Sequence, residues 1–401
     1  MLELEEAIER ILAAIPPATP EVVGLEEACG RFAVERVVAP LDLPAFDNSS
    51  MDGYAVRGAD TTDATADHPA RLRVIGRVAA GASFPDTVKA GECVRLFTGS
   101  PMPAGADAVI MQEDTTTDPH EPNTMAALTG VQPGENVRRQ GEDVPHGSVI
   151  LEPGEELTAG RLSLLAALGM DRVATGLRPV VGVLATGSEL KDPGRPLTPG
   201  QIYESNRVSL SALTRKTGAE ARVYPIVCDT LGETRAALLQ ALADCDILVT
   251  SGGVSVGELD FIKNAFEEAG GELQFWKVAV KPGRPFVFGR WQQKLLFGLP
   301  GNPVSAFVTF LLLVRPALLR WQGAKDVALP CSIGELSDDL VNEGGRRHFF
   351  RVCIDPEGRV HSSGLQASHV LSSLAKANGL VDVPPGATLR GSSKVRVLRW
   401  E

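Results

Sequence analysis

The chain has 401 residues, 44% of them hydrophobic and 22% charged, which is the balance of a soluble globular protein and predicts two to four domains. A formal net charge of −11 argues against general nucleic-acid binding and against an anionic membrane surface. The six cysteines include no C-x-x-C pair and do not cluster with the six histidines, which argues against a zinc site and against a disulfide framework.

Met1 to Arg10 is acidic and lacks a basic-then-apolar signal pattern. Leu4 to Ile15 carries apolar positions at helical spacing, and Pro16-Pro17 stops it. Val34 to Pro44 reads as extended and closed by prolines. Between Met51 and Asp143, short β-like runs such as "RLRVIGRV" and "ADAVIMQED" are separated by Gly, Pro and Asp, the texture of a β-rich domain. Leu157 to Leu168 reads as a helix capped by Gly169. From Arg178 the texture changes. Strands "PVVGVLATGSEL", "ARVYPIV" and "DILVTSGG" alternate with helices "NRVSLSALTRKTG" and "GETRAALLQALAD", the first with Asn206 as its N-cap and Gly218 at its end. A further helix is predicted over 262–269. This alternation predicts a parallel α/β sheet, with ligands beyond the C-terminal strand ends. Phe307 to Val314 is the longest apolar run of interest, far short of the ~20 residues that span a bilayer. The expected location is therefore cytoplasmic, with no membrane partner. Residues 329–401 return to short strands and turns, which predicts a small β-barrel or sandwich.

Three acids stand at strand ends of the α/β segment: Glu189 in "ATGSEL", Asp229 after "YPIVC", and Asp260 closing "TSGGVSVGELDF". A doubly wound sheet brings such loops to one edge. Oxygen ligands beside a phosphate suit Mg²⁺, whereas the alternative for each acid alone is a helix cap. "FWKVAVKPGRPFVF" places Lys277, Lys281 and Arg284 around a Pro-Gly turn. The two lysines, four apart in an alternating strand, are predicted to share one face. In "GLPGNPVSAF", Asn302 is predicted to cap a helix beginning at Pro303, with Ser305 in its first turn. "ATGSE", "TSGGVSVGE" and "LPGNPVS" thus form three backbone donor loops, and the ligand is expected to carry phosphate. The β-rich segment adds three polar strings, "DNSSMDGYAVR", "RLFTGSPMPAGADAV" and "VRRQGEDV".

Taken in order, "DNSSMDGYAVR", "TGSPMPAGADAVIMQE", "VRRQGEDV", "LATGSEL", "SGGVSVGELDF", "KPGRP" and "GLPGNPVSAF" resemble the molybdopterin molybdenumtransferases, the family of bacterial MoeA and the gephyrin E domain. The resemblance covers essentially the whole chain. It implies insertion of molybdenum from molybdate into adenylyl-molybdopterin, with Mg²⁺ as cofactor and release of AMP, completing molybdenum cofactor synthesis. It implies a multidomain α/β plus β fold. Residues 1–50 and 144–177 would form domain I, and 51–143 a β-rich domain II. Residues 178–326 would form a three-layer α/β molybdopterin-binding domain similar to molybdopterin adenylyltransferases, and 327–401 a C-terminal β-barrel. The family forms an elongated homodimer whose cleft draws on the α/β domain of one subunit and the β-rich domain of the other.

By motif, the resemblance assigns catalytic roles to Asp52, Thr98, Asp143, Glu189, Asp229, Asp260, Lys277 and Lys281, with Glu189 and Asp260 as the metal ligands. It assigns substrate binding to Ser251, Gly252, Gly253, Ser255, Arg284, Pro300, Gly301, Asn302, Pro303 and Ser305, and more loosely to Arg351 and Ser368. Arg284 stands where a lysine is common in the family. Partners implied are adenylyl-molybdopterin, molybdate, a second copy of the chain, a molybdopterin adenylyltransferase and molybdoenzyme chaperones. Two other readings stay open: an adenylyltransferase-like or other nucleotide-processing enzyme on the same α/β unit, and a non-enzymatic scaffold. The first leaves the β-rich and C-terminal segments unexplained. The second is disfavoured by acids at three strand ends.

Overall fold

Residues 1–254 and 261–400 are described by the computed structural model; Ser255 and Asp260, expected at the site, lie outside them. The chain divides into two units. One comprises Arg36–Glu152 and Ala159–Asp171, and the other Met1–Glu35, Pro153–Thr158 and the chain from Arg172 onward.

The first unit is built on a six-stranded sheet of β1 (Gly53–Val56), β2 (Ala70–Val78), β3 (Glu92–Leu96), β4 (Ala108–Met111), β5 (Thr115–Thr117) and β6 (Thr124–Ala127), in the order β4-β1-β3-β2-β6-β5. All pairs are antiparallel except β2 with β3. Consecutive residues alternate between two apolar clusters. Val56, Ile110 and Cys93 face one, whereas Ala55, Val109 and Val94 face the other, so both faces of the sheet are covered. Gly53 starts β1 where a Cβ would lie 2.0 Å from the Ile110 carbonyl oxygen, a closeness that only glycine permits. Two short ladders, Asn48–Ser49 with Val137–Arg138 and Val37–Val38 with Val149–Leu151, extend the unit. The unit takes in residues 36–50 ahead of the sheet. It also takes in residues 144–152 and the helix Ala159–Ala167, whose capping residue Gly169 has φ of +78°.

In the second unit α1 (Leu4–Ala13) buries Leu4, Ala7 and Ile11 along one stripe in the same core as the α/β sheet, although its sequence position suggested a separate domain. The sheet consists of β7 (Val180–Ala185), β8 (Glu220–Val223), β9 (Ile247–Ser251), β10 (Glu272–Lys277), β11 (Pro285–Trp291) and β12 (Lys294–Leu299), in the order β8-β7-β9-β12-β11-β10. The first four of that order are parallel, β11 runs antiparallel to both its neighbours, and β10 returns to the common direction. The sheet is therefore mixed, not all parallel, because β11 and β12 are joined by a tight turn through Gln292, at φ of +57°, with no crossover helix. Helices cover both faces: α2 (Asn206–Lys216) lies with one core, and α3 (Leu231–Asp244) and α4 (Ile262–Glu268) with the other.

The core helix α5 (Pro303–Trp321) follows β12. Among the described residues it is the one helix long and apolar enough to cross a membrane, yet 78% of it is buried inside this unit. Its middle turn, Phe310–Val314, is π-helical, just before Pro316, which cannot donate a helical hydrogen bond. Past α5, β13 (Cys331–Leu336), β14 (Arg347–Ile354), β15 (Arg359–Ser362), β16 (Gly379–Val383) and β17 (Lys394–Arg399) close in the ring β14-β15-β13-β17-β16-β14. Of the two expected forms, this is the barrel. Val352, Val360, Val381 and Val397 pack in a cluster of its own. Phe349, Leu380 and Trp400 instead join the core around α5, where Trp400 meets Phe307 edge-on at 5.5 Å.

Candidate active site

A cavity of about 660 Å³ opens at the C-terminal ends of the parallel strands of the second unit. This is where the crossovers of such a sheet leave a crevice. Thr186 follows β7, Ser251–Gly253 end β9, and Pro300–Pro303 join β12 to α5; all line the cavity. Gly252 and Gly253 have φ of +90° and +65°. A Cβ on Gly252 would stand 2.5 Å from the Thr186 carbonyl oxygen, so only glycine permits this turn against the neighbouring strand end. Asn302 precedes α5 in extended conformation and Pro303 is its first residue, as expected, although the Asn302 side chain makes no cap. Ser305 is buried within the first turn, as expected. Ile202, Tyr203 and Leu371, all exposed, add an apolar rim.

Two of the three strand-end acids are described, and both line the cavity. Asp229 accepts from the Ser188 backbone N–H at 3.0 Å, and the Asp229 N–H donates to Ser188 Oγ at 3.1 Å, so the turns after β7 and β8 clamp one another. Neither acid is a helix cap. Thr230 caps α3 by accepting from the Glu233 N–H, and Glu189 is followed by a short ladder of Leu190–Lys191 with Ile202–Tyr203. Among the described residues no three His, Cys, Asp or Glu side chains group to hold a metal. Two cavity-facing carboxylates nevertheless fit Mg²⁺, which takes one or two carboxylates with substrate phosphate and water as its other ligands.

Asn206 was expected to cap α2 and does not. Ser205 holds the N-cap position, and Asn206 is the first helical residue, 7% exposed. Its Nδ2 donates to Ser251 Oγ at 2.6 Å and to the Gly301 carbonyl at 2.7 Å. Thr186 Oγ1 and Asn206 Oδ1 are both buried without a protein partner, at the cavity's wall. Sequence reasoning missed both, and also missed His369 and Leu371 of the barrel, which line the cavity because the Val304 N–H donates to Ser368 O.

The basic residues are arranged differently from expectation. Lys277 ends β10, whereas Lys281 belongs to the two-residue strand Val280–Lys281 that pairs with β14 of the barrel. The chain bends at Ala279 between them. They sit in different sheets, and the alternation that would put them on one face is broken. Lys277 Nζ lies 3.6 Å from the Trp276 ring centroid, a cation–π contact. Lys281 and Arg284 are exposed, and Pro285 beside Arg284 lines the cavity. Arg351 is wholly buried. Its Nε donates to Ser373 Oγ and its Nη2 to the carbonyls of Leu365 and Ala367, which holds the loop that carries Ser368. Nη1 has no protein partner, and burial lowers the guanidinium pKa.

In the β-rich unit the three polar strings come together. Asp52 Oδ1 accepts from both the N–H and the hydroxyl of Thr98, each at 2.8 Å, which holds the carboxyl below its ordinary pKa. Asp47 accepts from Arg139 and from the Gln140 N–H, and the Met102 N–H donates to Asp47 O. Asp143 is exposed nearby on the same string, its N–H donating to Leu43 O.

Residues 2–169 match the MoeA N-terminal region (domain I and II), residues 182–320 the probable molybdopterin binding domain, and residues 334–400 the MoeA C-terminal region (domain IV). The chain is 41% identical over 384 residues to the molybdopterin molybdenumtransferase of Haemophilus influenzae, covering 94% of this chain and 93% of the relative. The chain belongs to the MoeA family. A second MoeA-family relative, the molybdopterin molybdenumtransferase of Bacillus subtilis, is 35% identical over 96% of this chain and 90% of its own. The crystal structure of a molybdopterin biosynthesis MoeA protein from Pyrococcus horikoshii superposes with a TM-score of 0.86 at 31% identity, covering all of both chains. The cavity described above falls mostly within the MoeA-family segment matched as molybdopterin binding.

Proposed function

We propose that the chain is a molybdopterin molybdenumtransferase that transfers molybdenum from molybdate to adenylyl-molybdopterin and releases AMP. The observation that carries this is the cavity: glycine turns and the start of a buried helix meet two carboxylates at the strand ends, within the segment matched as molybdopterin binding. Backbone N–H groups of such turns favour phosphate oxygens. The apolar rim of Ile202, Tyr203 and Leu371 offers contact to a planar pterin ring.

Glu189 would hold Mg²⁺, with Asp260 as its partner by motif, and the ion would supply Lewis-acid polarisation of the adenylate phosphate. Exposed Lys281 and Arg284 supply donors for oxyanions, whether phosphate or molybdate. They also counter locally a net charge of −11, which would repel a polyanionic ligand. The same contacts suit tungstate as well. Asp52, kept ionised by Thr98, belongs to the β-rich unit, and the family resemblance motivates a homodimer in which that unit serves the cavity of the second copy.

The test is incubation of the purified chain with adenylyl-molybdopterin, Mg²⁺ and molybdate, following AMP. Molybdate-dependent AMP release is the expected result, lowered roughly ten- to a hundredfold in Glu189→Gln. AMP release that ignores molybdate would make the protein a nucleotide hydrolase. No AMP release at all would overturn the reading.

A further inference from the structure

The side-chain amide of Asn206 makes bonds that helix formation does not call for. Nδ2 donates one hydrogen to Ser251 Oγ at 2.6 Å and the other to the Gly301 carbonyl at 2.7 Å. A carbonyl only accepts, so the nitrogen and not the oxygen of the amide must face Gly301. Ser251 Oγ, having accepted from Asn206, gives its own proton to the Pro300 carbonyl at 3.3 Å. Every hydrogen of the two side chains is thereby used to tie the end of β9 to the turn that opens α5. What remains is Asn206 Oδ1, buried and without a protein partner. An unpartnered buried acceptor destabilises a fold, so stability alone does not account for this residue.

The base of this bridge is itself anchored. The Asn206 N–H donates to Glu204 Oε1 at 2.6 Å, and Arg207 Nε donates to Glu204 Oε2 at 2.9 Å. Arg207 Nη1 donates to the Tyr224 carbonyl just beyond β8 at 2.6 Å. Glu204 and Arg207 are 3% and 7% exposed. The start of α2 is thus pinned to the sheet before it reaches across to the two turns.

We infer that Asn206 is a positioning residue. It sets the spacing between the Gly252–Gly253 turn and the Pro300–Pro303 turn, the two backbone segments that face the ligand from the neighbouring strands β9 and β12. This rests on the reading of the cavity as the pterin site. Aspartate has the same shape but lacks the two hydrogens, and it would set a carboxylate oxygen against the Gly301 carbonyl.

The experiment uses the full chain with Asn206→Ala, Ser251→Ala, the double variant and Asn206→Asp. The readouts are calorimetric Kd for molybdopterin itself, without molybdate or Mg²⁺, then KM and kcat for AMP release, and Tm. In Asn206→Ala, Kd and KM are expected to rise roughly ten- to a hundredfold, with kcat at saturation changed far less and Tm held or raised. Asn206→Asp is expected to behave likewise, Ser251→Ala to lose less, and the double variant to lose no more than Asn206→Ala. Unchanged Kd and KM with a lower Tm would make Asn206 structural and overturn the inference. Losses that multiply in the double variant would show two separate residues and overturn the bridge. Failure of the unsubstituted protein to bind molybdopterin would overturn the reading of the cavity, and the inference with it.

Discussion

His348, on β14, shows what burial does to one titratable side chain. It is 3% exposed, lies 3.8 Å from the Phe350 ring between centroids, and has no protein partner for either ring nitrogen. Burial first, then the charges of Lys281, Arg351 and Arg346, push its pKa from 6.5 down to about 4. Between those values the unfolded chain takes up a proton that the folded chain refuses, so stability must fall as pH falls through that window. Tm measured against pH is expected to decline from pH 6.5 to 4, and His348→Phe, of similar size, to flatten that decline relative to the unsubstituted protein. Identical slopes would mean that His348 titrates normally. At this same scale the sequence was a mixed guide. Asp52 and Thr98 were both picked from motifs, but not as partners, because 46 residues separate them. Asn206 looked like a cap because an Asn at a strand–helix border usually finds its acceptor or donor locally. Its partners lie 45 and 95 residues away, beyond what local spacing reveals.

Within elements, glycines separate geometry from mere flexibility. Gly24 has an ordinary φ of −66° and open space where a Cβ would go, whereas a Cβ on Gly53 would fall 2.0 Å from the Ile110 carbonyl oxygen. Gly24→Ala is expected to gain about 0.4–1 kcal/mol by restricting the unfolded chain. Gly53→Ala is expected to lose roughly 3 kcal/mol or more by forcing β1 from β4. Urea titration of both variants checks the pair, and equal effects would contradict the strand register. Helices and the α/β alternation were legible because their apolar periodicity is a local property. The direction of β11 and β12 was not legible. Strands buried on both faces read as continuous apolar runs, and nothing in such a run states whether its neighbour is parallel.

At the scale of the molecule, the residues proposed for one reaction fall in two units, with Asp52 in one and Glu189 in the other. A homodimer with a shared cleft has a direct signature. Asp52→Asn and Glu189→Gln proteins, each strongly impaired, are expected on subunit exchange to recover roughly a quarter of wild-type turnover, because half the dimers are mixed and each has one intact site of two. Light scattering is expected to show a dimer, and exchange without recovery would place both carboxylates in one subunit's site. The family was legible from ordered motifs spread along the chain. The grouping of α1 with the α/β sheet was not, since its partners come far later in sequence.

That grouping has a consequence for how the protein comes into being. Strand Pro20–Gly24 pairs with Arg172–Gly176, and the β-rich unit is contained almost entirely in the chain between them. A chain made from its N-terminus exposes the apolar stripe of α1 long before β9, β12 and α5 exist to cover it. At about 5–20 residues per second, that wait lasts on the order of ten seconds or more. The β-rich unit has all its own strands early and is free to fold first, bringing the ends of the long loop together before the ladder closes. Although made early, α1 is therefore among the last helices to be packed.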